Sequence, residues 1–108
     1  MGNDGNYMIK VGEQLRYRYQ VIERLGQGAF GQVVKCYDLK DQKDVAIKIS
    51  KCSKKAVGDQ RHEAKLLNKI RMNDPHARHG IVCMLDNFEY RQHYFIVFEC
   101  LGQNLLDN

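Results

Sequence analysis

One proline, no CxxC pair, no apolar run of membrane length and no block of like charge mark this 108-residue sequence. With neither a signal peptide nor a membrane span, the expected location is intracellular, cytoplasmic or nuclear, with no membrane partner. The cysteines Cys36, Cys52, Cys83 and Cys100 lie 16, 31 and 17 residues apart, which is not a zinc-ribbon spacing. Reduced thiols are expected. His62, His76, His79 and His93 fit no ligand set either, so no metal site is assigned. The net charge of +4 is spread along the chain, which reads as a mixed solvated surface rather than a nucleic-acid patch. Internal repeats and low-complexity tracts are also missing. What remains is one soluble domain with a modest core.

The stretch from Leu25 to Lys48 carries the chemistry. Gly26, Gly28 and Gly31 are spaced G-x-G-x-x-G, and glycines let a backbone come close to phosphates because no Cβ intervenes. A dinucleotide fold needs a helix directly after the last glycine. Here Gln32-Val33-Val34-Lys35-Cys36-Tyr37 follows, rich in β-branched and aromatic residues, so the glycines cap a β-hairpin. No G-K-[ST] stands at the P-loop position. After the polar turn 40–44, residues 45–50 place Val45, Ile47 and Ile49 on one strand face and Ala46 and Lys48 on the other. Taken singly, Lys48 reads as a surface lysine. The glycine loop followed at this distance by Val45-Ala46-Ile47-Lys48 resembles the protein-kinase pattern.

Elsewhere, residues 1–6 are polar and expected to be disordered, 7–13 read as a short strand, and 16–24 alternate as a strand entering the glycine loop. From 56 to 72 the period becomes helical, with Leu66, Leu67 and Ile70 as the apolar stripe, Asp59 or Ser53 as N-cap, and Asn73-Asp74-Pro75 as the stop. Glu63 falls on that stripe with no cation three or four residues away. A core-facing carboxylate needs a tertiary partner, and Lys48 is the one the pattern offers; Glu63 solvated at the stripe's edge is the alternative. Two further strands, 81–90 and 93–100, are joined by the turn Arg91-Gln92. The second is apolar throughout, as a strand buried on both faces would be.

The run from Tyr19 to Asp38, then Met84-Leu85-Asp86-Asn87-Phe88, then 95–105, is similar to the dual-specificity tyrosine-regulated kinase (DYRK) family and its homeodomain-interacting relatives. Residues 6–13 resemble that family's N-terminal extension. The resemblance implies an α+β N-terminal kinase lobe: a five-stranded antiparallel sheet with one packed helix, αC, and no C-lobe. It divides the chain into an extension over 1–18, partly disordered, a lobe over 19–97, and the hinge with the start of the C-lobe connection over 98–108.

It also implies roles for residues. Gly26, Gln27, Gly28, Ala29, Phe30 and Gly31 cover the phosphates of ATP. Leu25 and Val33 roof the adenine beside Ala46. Lys48 binds phosphate and pairs with Glu63, Val82 lines the rear, and Phe98 is the gatekeeper. Glu99 and Leu101 are backbone hinge contacts, and Asn104 and Asp107 meet the ribose. Mg²⁺, the catalytic loop and the protein-substrate site belong to residues beyond this chain, so the chain alone is expected to be inactive, to bind ATP weakly and to aggregate. In its full context it would help transfer the ATP γ-phosphate to protein hydroxyls. The alternatives are a non-catalytic fragment serving as an interaction or regulatory module, and a generic β-rich structural domain.

Overall fold

Strand-forming runs rich in β-branched and aromatic residues yield one antiparallel sheet, seen in a computed structural model that describes residues 5–73 and 84–99. Its strands are β1 (Gln14–Leu15), β2 (Tyr19–Gly28), β3 (Gly31–Asp38), β4 (Lys43–Ser50), β5 (Met84–Tyr90) and β6 (His93–Glu99). The order across the sheet is β1-β2-β3-β4-β6-β5. One helix, α1 (Lys54–Asn73), follows β4.

Six strands stand where five were expected, because Gln14 and Leu15 pair back onto Gln20 and Tyr19. The strand expected over 7–13 does not form. Its polar groups close a local turn instead: Glu13 N–H donates to the Lys10 carbonyl at 3.1 Å, and Lys10 N–H to Glu13 Oε1 at 2.7 Å. Gly5 and Asn6, expected to be disordered, pack on the lobe. Arg16 and Tyr17 form the β1–β2 turn, both with positive φ, which is why β2 begins only at Tyr19.

The sheet has two apolar faces. On one, Tyr19, Val21, Val34, Cys36, Val45, Ile47, Ile49, Phe95 and Val97 cluster with Leu15 and with Tyr7 from the N-terminal segment. On the other, Tyr94, Ile96 and Met84 meet Val57 and Ala64 of α1. Strand β6 thus contributes to both clusters, as its unbroken apolar run predicts. Burial pushes the Cys36 thiol up to about 12, so it stays protonated and serves as a small core residue.

The helix starts earlier than the sequence suggests. Ser53 Oγ accepts the Ala56 N–H at 3.1 Å and is the cap, whereas Asp59 lies one turn inside and pairs with Lys55. The core-facing stripe is Val57, Gln60 and Ala64 with Leu67 beside it; Leu66 is 49% exposed. Ile70 lies outside the residues whose side chains are described.

Arg18 locks the far end of the sheet. Its Nε and Nη2 donate to the two oxygens of buried Asp38 at 2.9 and 2.8 Å, joining the start of β2 to the end of β3. The Arg18 guanidinium holds the Asp38 carboxyl below the usual carboxylate range. A lowered folded value means that this pair's contribution is present above the unfolded pKa of about 4 and is lost as pH falls through the lowered one. The urea midpoint of the wild type should therefore fall between about pH 5 and pH 2, and Asp38→Asn should flatten that decline while costing about 2 kcal/mol at neutral pH. Parallel pH profiles for the two proteins would remove the pair from the acid response.

Candidate functional site

Strands β2 and β3 form the hairpin that the glycines were expected to cap, with Gly28 paired to Gly31 and Ala29 and Phe30 at the tip. Two register shifts interrupt the pairing, between Val21 and Glu23 and between Arg24 and Gly26; Leu25 sits at the second. Gly31 has φ +136, and a Cβ there would lie 2.1 Å from the Ile49 carbonyl oxygen. This glycine is needed for a close approach of two backbones, one arm of the hairpin against β4.

Cross-strand pairing sets the site's lateral order. Gly26 pairs with Val33, Val33 with Lys48, and Lys48 with Ile96. One step along the same face, Ala46 pairs with Phe98. Val33 and Ala46 are buried, and Leu25, Phe98 and Glu99 are half-buried. Val82, Leu101, Asn104 and Asp107 lie outside the described residues.

From α1, Glu63 reaches across to β4. Lys48 Nζ donates to Glu63 Oε1 at 2.9 Å and to Oε2 at 3.2 Å. The same ammonium lies 5.2 Å from the centre of the Phe30 ring, so the hairpin tip folds over it. A cavity of about 240 Å³ opens here, lined among others by Ala29, Phe30, Lys48, Gln60 and Glu63. Leu25, Val33, Ala46 and Phe98 do not line it. The structure thus joins loop tip, lysine and helix carboxylate in one cavity and leaves the other expected contacts farther along the sheet.

Gln60 is a site residue that sequence reasoning missed. It is 4% exposed, and its Nε2 donates to the Lys48 carbonyl at 2.8 Å and to the Tyr94 carbonyl at 2.7 Å. One amide therefore ties α1 to β4 and β6, three residues before Glu63. Its signal was a polar residue on the face of Val57 and Ala64. Gln60→Leu should leave both carbonyls without this donor and cost about 2 kcal/mol in urea unfolding; an unchanged midpoint would remove Gln60 from the account of how Glu63 is placed.

The site thus brings one ammonium, held by a helix carboxylate, beneath the tip of a glycine hairpin. Among known proteins, the protein kinase domain model matches residues 19–108. The chain belongs to the protein kinase domain family. The dual specificity tyrosine-phosphorylation-regulated kinase mbk-2 of Caenorhabditis elegans is 38% identical over 104 residues, covering 96% of this chain and 13% of that protein. Serine/threonine-protein kinase ppk5 of Schizosaccharomyces pombe is 39% identical over 105 residues, covering 97% of this chain and 13% of that protein. Human dual specificity tyrosine-phosphorylation-regulated kinase 4 is 39% identical over 103 residues, covering 95% and 20%.

The kinase lobe seen here therefore spans a fifth or less of the length of these relatives. The similarity to all three reaches into residues before Tyr19, which the domain model leaves out. Among the described residues, no helix is long and apolar enough to cross a membrane.

Proposed function

We propose that this chain is the ATP-binding lobe of a protein serine/threonine kinase of the dual-specificity type, acting inside the cell on protein hydroxyls. The observation that carries the reading is the Lys48–Glu63 pair at 2.9 and 3.2 Å beneath the glycine hairpin. The names of the relatives support the substrate class. ATP supplies the transferable γ-phosphoryl group.

The chain's own residues bind and orient. Backbone N–H groups of the hairpin face the phosphates, since Gly26, Gly28 and Gly31 place no side chain between. Lys48 neutralises phosphate charge, and Glu63 holds its ammonium in place. Leu25, Val33 and Ala46 clamp the base, with Val82 and Phe98 behind it. The backbones of Glu99 and Leu101 pair with its edge, and Asn104 and Asp107 approach the ribose. Phe30 excludes water from above. No HRD or DFG tripeptide occurs in the 108 residues, so the hydroxyl-orienting Asp and the Mg²⁺ ligands belong to other parts of the kinase. The lobe alone is then inactive.

A lysine-acylating ATP acyl phosphate tests the reading. Lys48 should be labelled faster than Lys51 or Lys55, and excess MgATP should suppress that labelling alone. Equal labelling of the three lysines, untouched by MgATP, would sink it.

A further inference from the structure

Gln32 directly follows the last glycine of the hairpin, and the alternation of β3 turns it away from Val33. It therefore enters the face occupied by Val34 and Cys36, where it is 2% exposed. A primary amide buried among apolar groups is tolerated only when hydrogen-bonded. Its Nε2 donates to the Tyr7 carbonyl at 2.6 Å. Tyr7 belongs to no strand and lies outside the segment that matches the kinase domain.

The N-terminal segment is held at further points. The Gly5 carbonyl accepts the Cys52 N–H at 3.0 Å. The Tyr7 ring stands edge-on to His93 at 5.2 Å and to Phe95 at 5.7 Å. His93, buried rather than solvated, has its Nδ1 2.7 Å from the Ser50 carbonyl oxygen, and Ser50 Oγ accepts the Tyr94 N–H at 2.9 Å. These contacts surround Gly31, which pairs with Ser50 while Gln32 pairs with Ile49. Gly31 has no slack toward β4, because a Cβ would already overlap the Ile49 carbonyl. The arm is thus pressed on β4 on one side and tethered through Gln32 on the other.

We propose that Gln32 is a positioning residue, through which a strap formed by residues 5–9 sets the height of the glycine hairpin above Lys48 and so tunes affinity for the phosphates of the nucleotide. The inference rests on the ATP-binding reading above. Because the glycine tip, residues 26–31, meets the phosphates while the base is clamped by Leu25 and Val33 on the arms, releasing the strap should weaken ATP more than adenosine. A merely structural role would lower the folded fraction and weaken both together.

The test is Gln32→Met, which keeps length and removes the donor, made in the full-length protein that carries this chain. Amide exchange of residues 5–9 and 26–31 should accelerate together without nucleotide. ATP affinity should fall roughly fivefold, with adenosine changed less than about twofold. Faster exchange in the strap with an unchanged hairpin and an unchanged ATP-to-adenosine ratio would overturn the proposal, as would a strap that stays protected. Should Gln32→Met fail to fold, Tyr7→Ser, which alters no sheet residue, must give the same coupled loss. Exchange is read without nucleotide, so a wild-type protein that bound no ATP would defeat the nucleotide reading and leave the strap-to-hairpin coupling separately scored.

Discussion

Lys48→Met is expected to lower phosphorylation of a Ser/Thr peptide by the kinase that carries this chain by on the order of 100-fold or more, while leaving the fold intact. The two halves of that expectation have separate grounds. The Lys48 and Glu63 side chains are 23% and 41% exposed. A pair this open to water contributes little to stability, so the loss on breaking it should stay below about 1 kcal/mol. Methionine also keeps the aliphatic stem that packs between Val33 and Ile96, the cross-strand neighbours of Lys48. On the ATP-binding reading, what disappears is the cation that Glu63 orients toward the phosphates; of the two other lysines lining the cavity, Lys55 is engaged with Asp59 and Lys51 is not held by Glu63. Glu63→Gln should have a smaller effect, about tenfold, because the ammonium remains and only its orientation is loosened. Peptide phosphorylation and thermal melts on the same preparations check both. A Lys48→Met protein that melts far below wild type would mean that the lysine is structural; one that keeps full activity would place the phosphate site elsewhere.

Why this pair was legible while its supports were not comes down to range. The glycine spacing, the period-2 strand over Lys48 and the off-pattern carboxylate at 63 are local signals, and each points to a need that a distant residue must meet. A carboxylate on the helix's apolar stripe with no intrahelical cation already points to a tertiary one, and Glu63 meets it while still 41% exposed. The turn at Arg91-Gln92 and the two-faced burial of β6 were equally readable, since both depend on neighbours in sequence.

Gln32 and His93 carry no such signal, and Gln60 showed only as a polar residue on the face of Val57 and Ala64, with nothing to name its partners. Each is a polar residue that becomes structural only because a carbonyl from a remote segment lies within reach: Tyr7, Lys48 with Tyr94, and Ser50 respectively. The strap misled for a related reason. Residues 7–13 read as a short strand ended by a Gly turn, yet φ of +91 at Gly12 and the turn from Lys10 to Glu13 break the extended path. The paired residues are instead Gln14 and Leu15, too few for any periodicity to show. The helix stripe slipped because Leu66 and Leu67 are adjacent, and on a helix only one of two adjacent residues can face the sheet fully. Val57 and Ala64 take the buried positions, and their small size brings α1 near enough for Glu63 to reach β4.

Gly31→Ala should be the most destabilising single-methyl change in the hairpin, at about 3 kcal/mol or more, against less than about 1 kcal/mol for Gly28→Ala. Both alter one glycine of the same motif, so a general requirement for glycine near phosphates would predict similar outcomes. The backbones differ. Gly31 adopts φ +136, which L side chains rarely adopt, and its Cβ would sit 2.1 Å from the Ile49 carbonyl oxygen and 3.1 Å from the Ser50 carbonyl carbon. Ile49 is held in the ladder opposite Gln32 on one side and Phe95 on the other, so that oxygen cannot turn aside without breaking pairing on β4. At Gly28 the added methyl would meet only the Phe30 ring, at 2.9 and 3.2 Å. That ring is 41% exposed and can swing outward at little cost in packing, giving up its place over Lys48. Urea midpoints measured without nucleotide separate the two, since no phosphate is then present to clash with either methyl. A Gly31→Ala midpoint equal to that of Gly28→Ala would show that the hairpin does not press on β4, and with it would fall the geometric basis for a strap acting on the loop through Gln32. A large gap would place the requirement for the last glycine in the resting lobe, before any nucleotide arrives.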